Sequence, residues 1–124
     1  MNEIFGPHLM MDLSGCKKEI LQDLKLHFDY LNNTPEIIGM TKITQPHVFP
    51  YQGLVPEDKG TTGIVIIAES HISVHSFEDK GYVFVDIFSC KPFNTELMIQ
   101  KTLECFKPTS YEIKIERRGL NFPR

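Results

Sequence analysis

Residues 63–90, GIVIIAESHISVHSFEDKGYVFVDIFSC, constrain this chain more than any other stretch, because three apolar runs rich in Val, Ile, Phe and Tyr are separated by only a few polar residues. Short runs of β-branched and aromatic side chains form strands in preference to helices. We read strands over residues 63–69, 72–77 and 82–89. The link Glu78-Asp79-Lys80-Gly81 has the residues of a hairpin loop, so the second and third strands pair antiparallel. Setting Phe77 against Tyr82 then puts His75 opposite Phe84 and Ser73 opposite Asp86. Side chains alternate along a strand, so His71, Ser73, His75 and Phe77 share one face while Ile72 and Val74 share the other. The same stretch concentrates the side chains capable of chemistry: Glu69, Ser70, His71, His75, Asp79, Asp86 and Cys90.

The flanking segments read as scaffold. Residues 8–13 form a first strand ended by Ser14-Gly15, and residues 16–31 carry Ile20, Leu21, Leu24, Phe28 and Leu31 at helical spacing. Asn32-Asn33-Thr34-Pro35 is a stop signal, since proline disfavours helix at the residue before it. Residues 40–49 read as a strand that Pro46 confines to a sheet edge or a bulge, and residues 50–62 as an exposed loop bordering a site. A second helix fits residues 95–106 with Asn94 as its N-cap; residues 111–116 alternate as a last strand, followed by a polar tail. The order β-α-β-β-β-β-α-β predicts an α+β two-layer sandwich with a mostly antiparallel sheet and two helices on one face. The other face mixes polar groups with Phe and Tyr, which points to burial against a second copy and so to a homodimer joined through that side of the sheet.

At 124 residues the chain forms a single domain, residues 1–124. Its net charge of −3 and lack of a Lys/Arg-rich run leave no electrostatic footprint for nucleic acid or an anionic membrane. Neither a membrane-length apolar run nor a signal-peptide pattern is present, and three widely spaced cysteines without a CxxC pair suit a reducing compartment, so a cytoplasmic location is expected.

Two kinds of chemistry fail on spacing. His71 and His75 would suit one metal ion only on a helix; on a strand four residues span roughly 13 Å, so no metal site is expected. Ser70 with His75 and Asp86 or Asp79 suggests a serine hydrolase, but the Gly-x-Ser-x-Gly elbow is absent.

The joint pattern is more specific. Ala68-Glu69-Ser70-His71-Ile72-Ser73-Val74-His75-Ser76-Phe77, followed by Gly81-Tyr82 and Asp86-Ile87-Phe88-Ser89-Cys90, together with GPHLMMDLSGC over residues 6–16, closely resembles the prokaryotic S-adenosylmethionine decarboxylase proenzymes across nearly the whole chain. The resemblance implies self-cleavage between Glu69 and Ser70, with Ser70 converted to a pyruvoyl cofactor that takes the substrate amine as a Schiff base. It implies that His75 is the processing base and Cys90 the catalytic acid. For the substrate it implies that Phe49 from the partner subunit stacks on the adenine, with Phe5 a second candidate. Thr62 stands where the family has a Ser or Thr assisting processing, and Asp79 where it has a Glu holding the ribose hydroxyls, with Glu78 able to substitute. The implied activity is decarboxylation of S-adenosylmethionine for spermidine synthesis. A pyruvoyl-dependent arginine or ornithine decarboxylase on the same scaffold, and a non-catalytic dimeric member, are the alternatives.

The chain departs from the family pattern in its longer loop over residues 52–60, in Ser76-Phe77 after the histidine and in Lys91 after the cysteine. Geometry adds one expectation. Ser70 and His75 lie on opposite faces of one strand, roughly 16 Å apart if it is straight, whereas the hairpin register sets Glu69 and Ser70 beside Cys90 and Ser89. His75 must then serve a Ser70 of the other subunit, giving shared active sites, or else the strand bends sharply.

Overall fold

Alternating burial along the apolar runs builds one antiparallel sheet in the computed structural model, which describes residues 6–123. Its strands are β1 (Gly6–Ser14), β2 (His47–Tyr51), β3 (Gly60–Ile67), β4 (Ser70–Phe77), β5 (Tyr82–Phe88) and β6 (Ser110–Arg118), in the spatial order β2-β3-β4-β5-β1-β6. Helices α1 (Lys18–Leu21), α2 (Leu24–Ile37) and α3 (Thr95–Phe106) supply the second layer, so the fold is the expected α+β two-layer sandwich. Leu9, Met11, Val65, Ile72, Val74 and Ile87 point from the sheet into the core, where Leu31, Met98 and Phe106 meet them from the helices. The β4–β5 register is the one expected, with Phe77 opposite Tyr82, His75 opposite Phe84 and Ser73 opposite Asp86.

Four boundaries differ from expectation for physical reasons. The expected helix over residues 16–31 breaks at Gln22-Asp23, where the Asp23 carboxylate accepts the Leu26 N–H at 3.0 Å and starts α2 afresh. The helix then runs through Pro35 instead of stopping before it. Pro35 lies buried in the last turn, so it removes a single N–H bond near the helix end while adding packing, and the buried Thr34 hydroxyl donates to the Tyr30 carbonyl. The turn out of α2 uses Gly39, whose φ of 77° a side chain with a Cβ rarely adopts. Of residues 40–49, Lys42 makes an isolated bridge to Ile67 and only His47 onward joins the sheet, as the edge strand β2 that tolerates Pro50. Fourth, β3 begins at Gly60, which shortens the expected loop and brings the backbones so close that a Cβ there would sit 1.6 Å from the Ser76 carbonyl oxygen.

His27 on α2 ties the helical layer to β4. It is fully buried, its Nδ1–H donates to the Asp23 carbonyl at 2.8 Å, and its Nε2 accepts from the Ser76 hydroxyl at 2.6 Å. Burial lowers its pKa from the ordinary 6.5. The folded chain therefore binds this proton less readily than the unfolded chain, so the stability held by neutral His27 is complete above the unfolded value and is lost as pH falls through and below it. We expect urea midpoints to decline between about pH 7 and about pH 5. His27→Gln should cost about 1–3 kcal/mol at neutral pH and make that decline shallower.

Candidate functional site

Two clusters of candidate residues lie at opposite ends of β4. At its start, Ile67 pairs with Ser70, leaving Ala68-Glu69 as a two-residue turn between β3 and β4. Ser70 is buried, and the Cys90 N–H donates to its Oγ at 3.2 Å. The Cys90 thiol donates to Glu69 Oε1 at 3.5 Å. Ser89 fixes the backbone on the other side: its Oγ accepts the Lys91 N–H at 3.0 Å and donates to the Lys91 carbonyl at 2.6 Å. The expected proximity of Glu69 and Ser70 to Ser89 and Cys90 is therefore present. Chemically this joins a serine hydroxyl, the carbonyl of the residue before it, an N–H able to stabilise charge developing on Oγ, and a thiol.

The second cluster follows from register. Phe49 of β2 pairs with Thr62 of β3, Thr62 with His75 of β4, and His75 with Phe84 of β5, so the four residues form one cross-strand row on the face away from the helices. Thr62 Oγ1 lies 3.4 Å from His75 Nδ1. Phe49, Thr62 and His75 open onto a pocket of about 380 Å³ that Phe77, Tyr51 and Asp58 also line.

Ser70 and His75 are not brought together within the chain. Ser70 shares the buried parity of Ile72 and Val74, while His75 is exposed on the other face. His71 and His75 both lie on the strand and not on a helix. Asp86 pairs with His8, Nε2 to Oδ1 at 3.0 Å, and not with His75. Asp79 is engaged by Lys18 at 2.9 Å and Lys59 at 4.0 Å, and the Lys18 hydrogen bond holds its carboxyl below the usual value. Glu78 accepts from Gln22 Nε2 at 2.6 Å. Neither Asp79 nor Glu78 lines the His75 pocket, and Phe5 lies outside the described residues.

Sequence reasoning passed over Tyr51, Phe77 and Asp58 as pocket residues. Parity could have found the first two, since Tyr51 shares the face of Phe49 and Phe77 that of His75. No local signal marked Asp58, which a 3₁₀ turn, Pro56–Asp58, carries to the pocket.

The fold is that of a known class, the small α+β decarboxylases. The chain resembles the crystal structure of the adenosylmethionine decarboxylase from Aquifex aeolicus with a TM-score of 0.80, at 23% identity, over 96% of this chain and 94% of that one. Residues 7–119 match the family described as S-adenosylmethionine decarboxylase, and the chain belongs to that enzyme family. Among its relatives, the S-adenosylmethionine decarboxylase proenzyme of Methanococcus maripaludis is 33% identical over 120 residues, spanning 93% of this chain and 90% of that protein. The proenzyme of Archaeoglobus fulgidus is 33% identical over 117 residues, spanning 94% and 99%. Among the described residues no helix is long and apolar enough to cross a membrane.

The cysteines differ in environment. Cys16 is buried while Cys90 and Cys105 are both partly covered, and burial raises the Cys16 thiol to about 11 and the Cys105 thiol to about 12. Mild alkylation with iodoacetamide of the folded protein, read by peptide mass, should label Cys90 at least about tenfold faster than Cys16 or Cys105.

Proposed function

We propose that the chain is a self-processing, pyruvoyl-dependent S-adenosylmethionine decarboxylase, supplying the aminopropyl donor for spermidine synthesis in the cytoplasm and working as a homodimer with shared active sites. The observation that carries this reading is the Glu69-Ser70 turn, with Cys90 donating its N–H to Ser70 Oγ and its thiol to Glu69. Ser70 fits as the precursor of the group, because its hydroxyl is adjacent to the Glu69 carbonyl and sheltered from water.

In processing, Ser70 Oγ attacks the Glu69 carbonyl carbon; the C–O bond forms, the C–N bond breaks, and the hydroxyl proton passes to the released nitrogen. Removal of the Ser70 Cα proton then expels the Glu69 carboxylate, and hydrolysis of the resulting dehydroalanine releases ammonia. Histidine is suited to these proton transfers, and His75, oriented by Thr62, is the candidate. Since His75 lies on the opposite face from Ser70 of its own strand, the reading assigns it to the Ser70 of the other subunit. A pyruvoyl group supplies the electron sink that loss of carbon dioxide from an amino acid requires. Cys90 beside it is placed to hold the proton delivered to the substrate carbon, and Phe49 to stack on the adenine.

The exposed Phe49, Tyr51 and Phe84 on the helix-free face support a face-to-face dimer. Intact mass should show two fragments, the first ending at Glu69, and Ser70→Ala should remain one uncut, inactive chain. Labelled carbon dioxide should be released from S-adenosylmethionine; release from arginine or ornithine alone would overturn the substrate assignment. Equal co-expression of Ser70→Ala and His75→Ala chains should restore about a quarter of wild-type activity, because half of the dimers are mixed and each holds one complete site. No recovery would place the whole site within one chain.

A further inference from the structure

Strand β6 pairs with β1 along one side, in unbroken register from Gly6 opposite Arg118 to Ser14 opposite Ser110, and its other side is the rim of the sheet. All of its residues are exposed except Ile113, which packs against the core. A rim of that length presents a row of backbone N–H and C=O groups to any strand that can pair with them. Neither a proline nor a bulge interrupts it.

Parity divides its side chains. Glu112, Lys114, Glu116 and Arg118 stand opposite Asp12, Met10, His8 and Gly6 on the helix-free face, while Ile113 and Ile115 stand opposite the buried Met11 and Leu9 on the helix side. The charges are poorly served within the chain. Glu112 meets the like charge of Asp12 across the ladder, and Glu116 meets His8, whose Nε2 is taken by Asp86 at 3.0 Å.

Two copies of one edge strand related by a two-fold axis perpendicular to the sheet pair antiparallel, and the residue on the axis fixes every other pair. With Lys114 on the axis, Lys114 meets Lys114 and Glu112 meets Glu116. With Glu116 there, Glu116 meets Glu116 and Lys114 meets Arg118. Ile113 on the axis keeps only the Glu112–Lys114 pairs and sets Glu116 and Arg118 against Ser110 and Pro108. Ile115 on the axis gives every charge an opposite partner: Glu112 meets Arg118, Lys114 meets Glu116, each twice, and Ile115 meets Ile115. Charges that merely guard an edge repel in any register, whereas these repel in two and attract fully in one. Arg118 is held 4.2 Å from the centroid of Phe88, and a guanidinium stacked on a ring keeps its N–H rim for a carboxylate.

We propose that the free edge of β6 is a self-association surface, joining two copies of this chain antiparallel about Ile115 into one continuous sheet. The contact uses the rim of the sheet and is separate from the face-to-face dimer.

The test uses the full protein carrying Ile115→Cys or Ile113→Cys, incubated with oxidised glutathione, with disulfides located by peptide mass. Ile115→Cys should give a covalent dimer linked from residue 115 to residue 115. Ile113→Cys should not, because its copy lies four strand positions away, roughly 13 Å, beyond disulfide reach. Ile115 lies on the helix side, so a dimer joined through the helix-free faces keeps both sheets between the two thiols and cannot form this link. Sedimentation at low salt then tests the charges. Lys114→Glu and Glu116→Lys should each weaken the association at least about tenfold, and the double variant, which exchanges the pair, should recover it to within about threefold of wild type. Thermal midpoints close to wild type confirm that these surface variants are folded, and added salt should weaken the wild-type association.

A link through residue 113 instead, no link at either position, or a double variant that associates no better than the single ones would overturn the proposal. Each of those results leaves the decarboxylase reading and the face-to-face dimer standing.

Discussion

The two-residue turn Ala68-Glu69 sets β3 against β4 so that Ile67 faces Ser70, and the face of every side chain on the neighbouring strands follows from that pairing. A slip of one residue would carry His71, Ser73 and His75 into the core and turn Ile72 and Val74 out to water. Each polar side chain buried without a partner would cost about 1–3 kcal/mol, and each core aliphatic lost a similar amount, so the alternative register is heavily disfavoured. The same pairing that protects the core therefore lines up Phe49, Thr62, His75 and Phe84 in one row and brings Ser70 to Cys90. Fold and site share one constraint.

The two faces of the sheet are finished differently. Toward the helices, the polar groups that are buried find partners across the layer: His27 with Ser76, Tyr30 with Thr102, and the Thr61 hydroxyl with the Leu21 carbonyl at 2.8 Å. Among the described residues no buried side-chain nitrogen or oxygen lacks a hydrogen bond. These directional contacts fix where the helices sit over an otherwise non-directional apolar core. Away from the helices the surface is neither fully polar nor fully covered. Arg118 stacks 4.2 Å from the centroid of Phe88, His8 pairs with Asp86, and Phe49 and Phe84 remain 49% and 42% exposed. Antiparallel sheets tolerate one wet face, but aromatic side chains arranged in a cross-strand row leave much apolar area in water.

Where residues act through neighbours in sequence, the chain was legible. The period of two over residues 72–77, the turn residues of Glu78-Asp79-Lys80-Gly81, and the Asn94 cap ahead of an amphipathic run each yielded an element or register that the structure contains, α3 to its first and last residue. Misreadings arose where tertiary contacts outweighed local preference. Asn32-Asn33-Thr34-Pro35 argued for a stop, yet the buried side chains of Leu31, Thr34 and Pro35 reward six further residues of helix, to Ile37, before Gly39. Asp23 falls inside the helical pattern of residues 16–31, yet its side chain caps Leu26 and starts a new helix. At the site, the pairing of His75 with Phe84 followed from the hairpin register, whereas Thr62 lay in the expected loop and joins the row because β3 begins at Gly60. Asp58 could not be placed, because its position depends on how a 3₁₀ turn returns the chain to β3 and on a lysine from another turn.

The topology also explains how such a chain could tolerate a break between Glu69 and Ser70. That bond lies where β3 turns into β4, outside the ladders that carry the core. The segment before it supplies β1, α1, α2, β2 and β3, while the segment after it supplies β4, β5, α3 and β6. In space these do not form two blocks. β1 from the first segment is inserted between β5 and β6 of the second, and β3 remains paired along β4. Separating the pieces would therefore open three strand ladders and unpack Tyr30 and His27 of α2 from Phe106 of α3. The chain connection at the turn adds mainly the entropy of holding two ends together, a term that grows slowly with loop length and is small beside that packing. Interleaving makes the backbone dispensable at this one position, and it is the position where the serine, its preceding carbonyl and the cysteine are gathered.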